Sequence, residues 1–292
     1  MKKIFAFILV VLMLCPLLAG CNMSANITNF LYDNEELYTV GNGNISVGDI
    51  NKIEIDWING DVKVVYHGLD TIRIVERSED ELNEDMTLHY YANGDKLKIK
   101  FASSGEWNFK DIEKELTVYI PQSLMLAELD IDTVDSVVKL TDLALINLHV
   151  DTISASVMLD NCNITQNIEV ETVSGSIHID ADRINKLDME TVSGVMNITA
   201  NDIKGLNIET TSGSAYITAN DYLGQSDIDT VSGNITLRLS LYSSFTVRFG
   251  SVSGRLNSDF DLRKDGNKYD YNGGGVGYKI DTTSGDVTIT RS

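Results

Sequence analysis

Acidic residues recur at one place in this sequence, directly before the copies of a Thr-x-Ser-Gly motif. Examples are "ETVSGS", "ETTSGS" and "DTTSGD", and one copy has Gly250 in place of the acid. Alternate residues of an extended strand share a face, so an inward threonine turns the acid outward. Successive copies would then form an outward column made of Asp132, Asp151, Glu171, Glu190, Glu209, Asp229 and Asp281.

A second outward column is expected two residues before the first. Its members are Asp130, His149, Glu169, Asp188, Asn207, Asp227, Arg248 and Lys279. Neighbouring strands lie about 4.8 Å apart, and unit charges at that distance in water repel by roughly 0.9 kcal/mol. Stacked acids therefore oppose folding, unless a cation neutralises them or their charge serves another purpose.

Calcium binding is the specific interpretation of these acids, because calcium accepts carboxylate oxygens in flexible geometry. The glycine-rich calcium nonapeptide of β-rolls is absent, however. A solvated face that prevents pairing with other chains explains the same residues, as does diffuse association of cations. Calcium is the one cofactor that the sequence suggests, and its candidate ligands are Asp132, Asp151, Glu169, Glu171, Asp188, Glu190, Glu209, Asp227 and Asp229.

The motif recurs at a nearly constant period. Two upstream stretches, Asp132–Val137 and Asp151–Ser156, fit the same register without the glycine. Copies of about twenty residues predict an all-β fold, a single-stranded β-solenoid of β-helix or β-roll type. The last interval holds an excursion, after which the final coil is expected to close the array. The motif glycines are separated by 19, 19, 20, 21 and 31 residues and are Gly175, Gly194, Gly213, Gly233, Gly254 and Gly285.

The motif coincides with a slip in the alternation of apolar residues. Before Gly233 the inward set is Ile228, Thr230 and Ser232, and after it the apolar residues begin at Ile235. A glycine at such a slip predicts a corner or bulge with positive φ. The threonine and serine are expected to point inward, where stacked hydroxyl groups could hydrogen-bond one another.

The strand after each corner carries a further outward row. The row is His178, Asn197, Tyr216, Thr236, Asn257 and Thr288. Polar and aromatic side chains along a solenoid can hold extended chains such as glycans, although an ordinary surface has the same pattern. We treat the first four as a candidate ligand row.

Catalytic signals are weak. The four histidines show no metal-ligand spacing. The motif serine lacks the leading glycine of a nucleophile elbow and is repeated in every coil, which is typical of a structural residue. No pair of acids is singled out as a glycosidase pair would be.

Alternating strands precede the repeat, among them "KIEID", "DVKVV", "TIRIV", "KLKIKF" and "ELTVYI". Asn93-Gly94 predicts a hairpin, Ile58–Gly60 predicts a similar turn, and Pro121 ends this part. The predicted division is a hairpin-rich β region over residues 45–125 and a repeat solenoid over residues 126–292.

The first twenty residues have the lysines, the apolar run and the small residues of an export signal. The ending "LAGC" resembles the bacterial lipobox, in which Cys21 becomes the lipidated first residue. A cleaved signal with an incidental cysteine is the alternative. Residues 1–20 are therefore a predicted lipoprotein signal peptide and residues 21–44 a polar tether. Acyl chains anchor proteins stably, so we expect the extracytoplasmic face of the bacterial cell membrane.

Without residues 1–20 the chain has 21 basic and 43 acidic residues, a net charge of −22. That charge excludes nucleic acid as a partner, since nucleic acid is itself a polyanion. Cys162 would be the only other cysteine of the mature chain, so no internal disulfide can form. Its expected role is that of a small buried apolar residue.

The alternating first strands, Pro121 closing "ELTVYIP", the serial "ETVSGSIHI" coils and the final "YKIDTTSGDVTI" resemble the bacterial "putative adhesin" domain family. The resemblance covers about Ile45 to Ile289. It implies a β-solenoid at the cell envelope with no catalytic residue to carry over, and relatives near envelope-stress systems imply an accessory role. The chain departs from the pattern in its first two coils, which lack the corner glycine.

The expected function is therefore that of a non-catalytic envelope lipoprotein whose solenoid is an adhesion, binding or scaffold surface. Expected partners are the membrane through the lipid anchor, cell-wall glycan or an envelope protein. One alternative is an envelope-stress accessory protein that binds a membrane partner. Another is a polysaccharide-active enzyme on a β-helix, which the even spread of the acids disfavours.

Overall fold

A computed structural model describes residues 30–106 and 112–292, and nearly all of their regular structure is β-strand. The only helical segments in these residues are single 3-10 turns at Glu35–Leu37 and Glu84–Met86. The strands are β1 (Thr39–Val40), β2 (Gly43–Ser46), β3 (Lys52–His67), β4 (Thr71–Ser78), β5 (His89–Asn93), β6 (Lys96–Lys100), β7 (Lys114–Pro121), β8 (Leu126–Thr141), β9 (Ala144–Thr152), β10 (Ser156–Asp160), β11 (Asn163–Thr172), β12 (Ile177–Ile184), β13 (Lys186–Thr191), β14 (Met196–Thr210), β15 (Ala215–Thr230), β16 (Ile235–Leu239), β17 (Phe245–Ser251), β18 (Leu256–Ser258), β19 (Arg263–Asp265), β20 (Lys268–Tyr271), β21 (Val276–Thr282) and β22 (Val287–Arg291).

The strands stack in parallel, as the predicted solenoid requires. Each coil gives one segment to a first ladder, passes the Thr-x-Ser-Gly corner, and gives a second segment to a second ladder. In the first ladder β9 pairs with β11 and β11 with β13, with Thr152, Thr172 and Thr191 in register. In the second ladder β10 pairs with β12 and β12 with β14. The all-β solenoid prediction is confirmed.

The buried side chains form continuous apolar columns through the stack. In the first ladder each inward residue lies opposite its counterpart in the next coil, and all are fully buried. Burial of each such side chain contributes about 1.5–3 kcal/mol. No coil could bury this face alone, which is why the coils are stable only as a stack. One such column is Ile131, Val150, Val170, Met189, Ile208 and Ile228.

The motif glycines differ from the sequence prediction in their backbone conformation. None of the six has positive φ. Their small size is needed for close approach, since a Cβ on Gly213 would overlap the carbonyl oxygen of Gly194, and one on Gly194 that of Gly175. The prediction of a positive-φ corner is therefore wrong. Glycine is required because backbones of successive coils touch at the corner.

The motif hydroxyls have separate roles. The buried Thr172 accepts a hydrogen bond at Oγ1 from the N–H of Gly175, at 3.0 Å, and the same bond recurs at 2.9 Å from Gly213 to Thr210. The motif serine, predicted to point inward, is instead exposed and donates to the preceding coil, as Ser212 does to the carbonyl of Val192 at 3.1 Å. The alternation slips before the serine, since Thr211 is half-buried, Ser212 is exposed and Gly213 is buried again.

The N-terminal strands belong to the same stack. β3 pairs in parallel with β8, with Ile53 opposite Leu129 and Val64 opposite Leu140. The predicted turn at Ile58–Gly60 is wrong, because β3 continues through it as the corner of a coil. Gly60 has φ +96 there, and a Cβ on it would overlap the backbone of Lys114.

The predicted hairpin at Asn93-Gly94 is confirmed. β5 and β6 pair antiparallel with Asn93 opposite Lys96, and Gly94 has φ +60. Residues 30–44, assigned from the sequence to a tether, lie within the fold: β1 pairs with β5, and β2 pairs with β4. The chain before residue 30 is outside the described residues.

The last coil does not close the array, contrary to the sequence prediction. β21 pairs with β15 on one side and with β17 on the other, while β22 lies between β16 and β18. The chain end is therefore inserted between two coils that precede it in sequence. Gly285 accordingly stacks between Gly233 and Gly254.

Antiparallel strands cover both ends of the stack. At the first end β4 pairs with β7 and β5 with β6. At the second end β20 pairs with β17 and β19 with β20. A cluster of rings fills the second end, with Phe245 at 5.4 Å from both Tyr271 and Tyr278. The edge strand β19 is short and reads Arg-Lys-Asp, a composition that discourages pairing with other chains.

Candidate functional site

The two outward columns predicted from the sequence are present as aligned ladders. In the first, Asp132 lies opposite Asp151, Asp151 opposite Glu171, and Glu171 opposite Glu190. The ladder continues through Glu209 and Asp229 to Asp281. In the second column the aligned residues are Asp130, His149, Glu169, Asp188, Asn207, Asp227, Lys279 and Arg248. We call these two columns the acidic face.

Sequence reasoning missed the first members of both columns. Asp56 lies opposite Asp132, and Glu54 opposite Asp130. The signal was present in the likeness of "IEID" to "LDID" at residues 129–132. Trp57 stands where later coils have threonine, and this substitution hides the match.

Lysines terminate the acidic face at its first end. Lys100 is opposite Asp56 and Lys98 is opposite Glu54. Lys100 is nearly buried, forms a short ion pair with Asp56 and lies 2.9 Å from Glu54. Burial alone would raise the pKa of Glu54, but hydrogen bonds from Lys100 and Lys96 lower it to about 2. Glu54 is thus held ionised, whereas burial raises the pKa of Asp56 in spite of its ion pair with Lys100.

The acids in the next coils lack such partners. Partial burial, together with the charges of Asp56, Asp130 and Asp151, raises the pKa of Asp132 to about 6. Partial burial and the neighbouring Asp151 and Glu169 also raise the pKa of Glu171. Negative charge that no lysine of the described residues neutralises therefore accumulates beside β8, β9 and β11.

His149 is the one basic group within this stretch of the columns. Its Nε2 lies 3.4 Å from Asp151 and its Nδ1 lies 3.7 Å from Glu169. The hydrogen bond with Asp151 and the charges of Asp151, Asp130 and Glu169 raise its pKa to about 9. His149 is therefore an imidazolium at neutral pH.

The described residues contain no group of three or more His, Cys, Asp or Glu side chains arranged to hold a metal ion. Two carboxylate oxygens in the acidic face, Oδ1 of Asp130 and Oδ1 of Asp151, are nevertheless enclosed without a hydrogen-bond partner. Calcium binding by the candidate ligands remains a prediction.

A groove runs along the acidic face at the corner, with a volume of about 480 Å³. Each of four coils contributes an acid to the groove and an apolar residue two positions later. Ile153 is the most open of these apolar residues, with 53% of its surface exposed. We call this feature the corner groove; its acids are Asp56, Asp132, Asp151 and Glu171, and its apolar residues are Ile58, Val134, Ile153 and Val173.

The candidate ligand row lies on the second ladder. His178 is opposite Asn197, Asn197 opposite Tyr216, and Tyr216 opposite Thr236. The inserted last coil places Thr288 before Asn257 in this row. His178 is 4.0 Å from Asp160, and Tyr216 has 48% of its surface exposed. The row therefore exists as a continuous line of polar and aromatic side chains.

Other predicted residues fall in simpler environments. Cys21, with the predicted signal peptide, lies outside the described residues. Cys162 is buried, and burial raises its pKa to about 11, which keeps the thiol protonated. Within residues 30–106 and 112–292 no helix has the length and apolarity to cross a membrane.

The fold and its surface define a class, the capped parallel β-solenoid with a charged outer ladder. The Toastrack DUF4097 family model matches residues 50–290, and this chain belongs to that family. No curated protein matches the sequence.

Several solved structures are similar at low identity. A "putative adhesin" from Bacteroides fragilis has 14% identity and a TM-score of 0.47, covering 87% of this chain and 97% of its own. A "putative lipid binding protein" from Parabacteroides distasonis has 13% identity and a TM-score of 0.48, covering 86% and 96%. A "putative cell adhesion protein" from Clostridium sporogenes has 10% identity and a TM-score of 0.27, covering 87% and 100%. All three scores are below 0.5, and the family assignment rests on the sequence match.

Proposed function

We propose that this protein is a non-catalytic binding protein of the cell envelope whose corner groove holds an extended polypeptide segment with basic and apolar side chains. The observation that carries the proposal is the lining of the groove, to which each of four coils contributes one acid and one apolar side chain; we call these sets the acidic wall and the apolar wall. In the apolar wall Ile153 is exposed, and Val134 and Val173 are half-buried. An extended segment that alternates basic and apolar residues carries the two kinds of side chain on opposite sides, so it would contact both walls.

The energetic cost of the acidic wall supports a basic partner. The raised pKa values of Asp132 and Glu171 show that their ionised forms are disfavoured in the unliganded groove. A cationic side chain placed there would offset the repulsion among the neighbouring carboxylates. Attraction between opposite charges would also accelerate association of a basic partner with the groove.

The apolar wall supports a polypeptide rather than a cation alone. Ile153 exposes 53% of its surface, and Val134 and Val173 continue its line in the adjacent coils. A metal ion would gain nothing from these side chains, whereas an apolar side chain would gain about 25 cal/mol for each Å² removed from water. A neutral glycan would match the polar and aromatic row on the second ladder, which contains no acid, better than this groove.

The envelope setting of the proposal rests on the sequence. The lipobox-like "LAGC" would anchor the chain at Cys21 on the extracytoplasmic face of the membrane. In that position the solenoid would serve as an adhesion, scaffold or envelope-stress accessory surface for a protein partner. We propose no catalytic step, because the acids are spread evenly through the coils.

A binding titration with a defined peptide tests the proposal. We expect a peptide of alternating lysine and leucine to bind the full chain saturably, and a peptide of alternating glutamate and leucine not to bind. The double variant Asp151→Asn with Glu171→Gln and the variant Ile153→Ser should each weaken binding about tenfold, because each removes contacts worth roughly 1.4 kcal/mol.

Matched control variants use the same changes away from the groove. Asp180→Asn with Asp221→Asn removes the same two charges from exposed positions, and Met158→Ser removes an apolar side chain of the second ladder. Equal weakening by these controls would mean that net charge alone attracts the peptide, and the groove proposal would be wrong.

A further inference from the structure

The charge of the outward columns reverses at the second end of the solenoid. In the second column Asp227 is followed by Lys279, and Lys279 lies opposite Arg248. Arg248 in turn lies opposite Lys268 on β20. Three cations thus occupy adjacent register positions in a chain with a net charge of −20. Like charges placed directly opposite one another are unfavourable, so this strip needs an explanation.

Two of the three cations are neutralised from outside the strip. Lys279 lies 2.6 Å from Asp227, 3.4 Å from Asp281 and 3.6 Å from Asp229. Lys268 lies 3.2 Å from Asp270, a buried acid. These pairs fix the two outer cations in place.

Arg248, in the middle of the strip, is exposed and forms no ion pair with any residue that the structure describes. Asp270 is already engaged by Thr246 at 2.7 Å and by Arg263 at 3.1 Å as well as by Lys268. These hydrogen bonds hold the pKa of Asp270 at about 2. The guanidinium of Arg248 is therefore available to a ligand.

An open recess lies beside the strip, with a volume of about 510 Å³. Its walls carry Arg248, Lys268 and Lys279 together with Asp227. Gly277 forms part of its surface, and a Cβ on Gly277 would meet no atom within 4 Å. Glycine leaves the recess open where the neighbouring coils have Gln225 and Thr246 in register. We call this feature the end recess.

We propose that the end recess binds a phosphate group, with Arg248 as its principal ligand and Lys268 and Lys279 as flanking charges. The planar guanidinium donates paired hydrogen bonds to tetrahedral oxyanions. Arg248 supplies the unpaired charge. Lys268 and Lys279 are each paired with an acid, but they bring further N–H donors to the same opening, and several donors suit the oxygens of a phosphate better than a single carboxylate. The site is separate from the corner groove, so it stands or fails independently of the proposed function.

The test is a phosphate titration of the full chain, followed through the arginine Nε–H signals in nitrogen–proton spectra at constant ionic strength. We expect the Arg248 signal, identified by its absence in Arg248→Gln, to shift saturably with glycerol phosphate and not with chloride. Arg248→Gln should weaken binding about tenfold or more, the scale of a lost charge-assisted hydrogen bond. Gly277→Val should also abolish binding, because it fills the recess without changing the charge.

Arg255→Gln is the matched control, since it removes an exposed arginine of the same coil that does not line the recess. It should leave the titration unchanged. A second experiment uses vesicles that contain phosphatidylglycerol. If the protein binds only the vesicles, the phosphate is that of a lipid headgroup; if it binds glycerol phosphate, the phosphate comes from a soluble molecule. Absence of a saturable Arg248 shift in both experiments would overturn the proposal, as would an equal response in Gly277→Val.

Discussion

Two columns of this solenoid repeat once per coil and lie side by side: the corner column of Thr-x-Ser-Gly and the first column of the acidic face. The corner is repeated because the backbones of adjacent coils touch there, as at Gly194 and Gly213. The acids are repeated although each adjacent pair repels. Residues that recur in every coil can therefore have opposite effects on stability. The corner column stabilises the stack, whereas the acidic column destabilises it.

The largest expected effect comes from adding one methyl group to the corner. In Gly213→Ala the new Cβ would overlap the carbonyl oxygen of Gly194, so the coils must separate. We expect a loss of more than about 3 kcal/mol in unfolding free energy, measured by denaturant unfolding. Gly68→Ala is the control, because its Cβ would meet no atom within 4 Å. Equal losses in both variants would contradict close approach as the reason for the corner glycine.

The corner threonine should have the next largest effect. Thr210→Val keeps the shape but leaves the Gly213 N–H without the acceptor that now lies at 2.9 Å. An unsatisfied buried N–H costs about 1–3 kcal/mol, and denaturant unfolding would measure it. Thr218→Val, at an outward position, should lower the unfolding free energy far less. A similar loss there would show that packing of the strand, and not the hydrogen bond, explains the effect of Thr210→Val.

His149 tests the acidic column through pH. Its pKa is raised from 6.5 to about 9 in the folded protein. The imidazolium therefore contributes stability that is fully present below pH 6.5 and is lost as the pH rises through 9. We expect His149→Gln to cost about 1 kcal/mol at pH 6, after allowance for solvent screening, and nearly nothing at pH 10. Thermal unfolding across this range measures the difference, and a pH-independent cost would remove the ionic explanation.

Removal of one acid should stabilise the stack slightly. Glu171→Gln relieves repulsion from Asp151 and Glu169, which raise its pKa. We expect a gain of about 0.3–0.5 kcal/mol at low salt that disappears at high salt. Asp221→Asn, an exposed acid outside the two columns, should change nothing. A loss of stability in Glu171→Gln would mean that the carboxylate makes a favourable contact in the fold.

The smallest expected difference is between calcium and sodium chloride at matched ionic strength. Both should raise the Tm slightly by screening the acidic face, and by equal amounts if no calcium site is formed. A clearly larger rise in Tm with calcium, reversed by EDTA, would show that the candidate ligands form calcium sites. One site that binds calcium only in the folded state contributes about 2.7 kcal/mol to stability when calcium is at a hundred times its Kd.

The residue positions in these columns could be predicted from the sequence because they follow from the period alone. The register of Asp132, Asp151 and Glu171 needs only alternation and a constant coil length. The reason for glycine could not be predicted, because contact between coils is a tertiary distance that leaves no mark on a single copy. The first coil was missed because Trp57 replaces the motif threonine. The end recess could not be predicted either, because Lys279 is stacked between Asp227 and Arg248, and this order of strands differs from their order in the sequence.

That stacking order has a consequence for how the chain assembles during synthesis. From β8 to β16 neighbouring coils are about twenty residues apart, but Asp229 and Asp281, which lie opposite each other, are 52 residues apart in the chain. Within the stretch from β8 to β16, a chain that emerges from its N-terminus can add each coil to the one before it as soon as it appears. β17 and β18 cannot reach their final positions until residues 276–291 arrive to fill the slot beside them. Residues 276–291 therefore act as a completion step, and a chain shortened to residue 275 would lose the order of two coils rather than one.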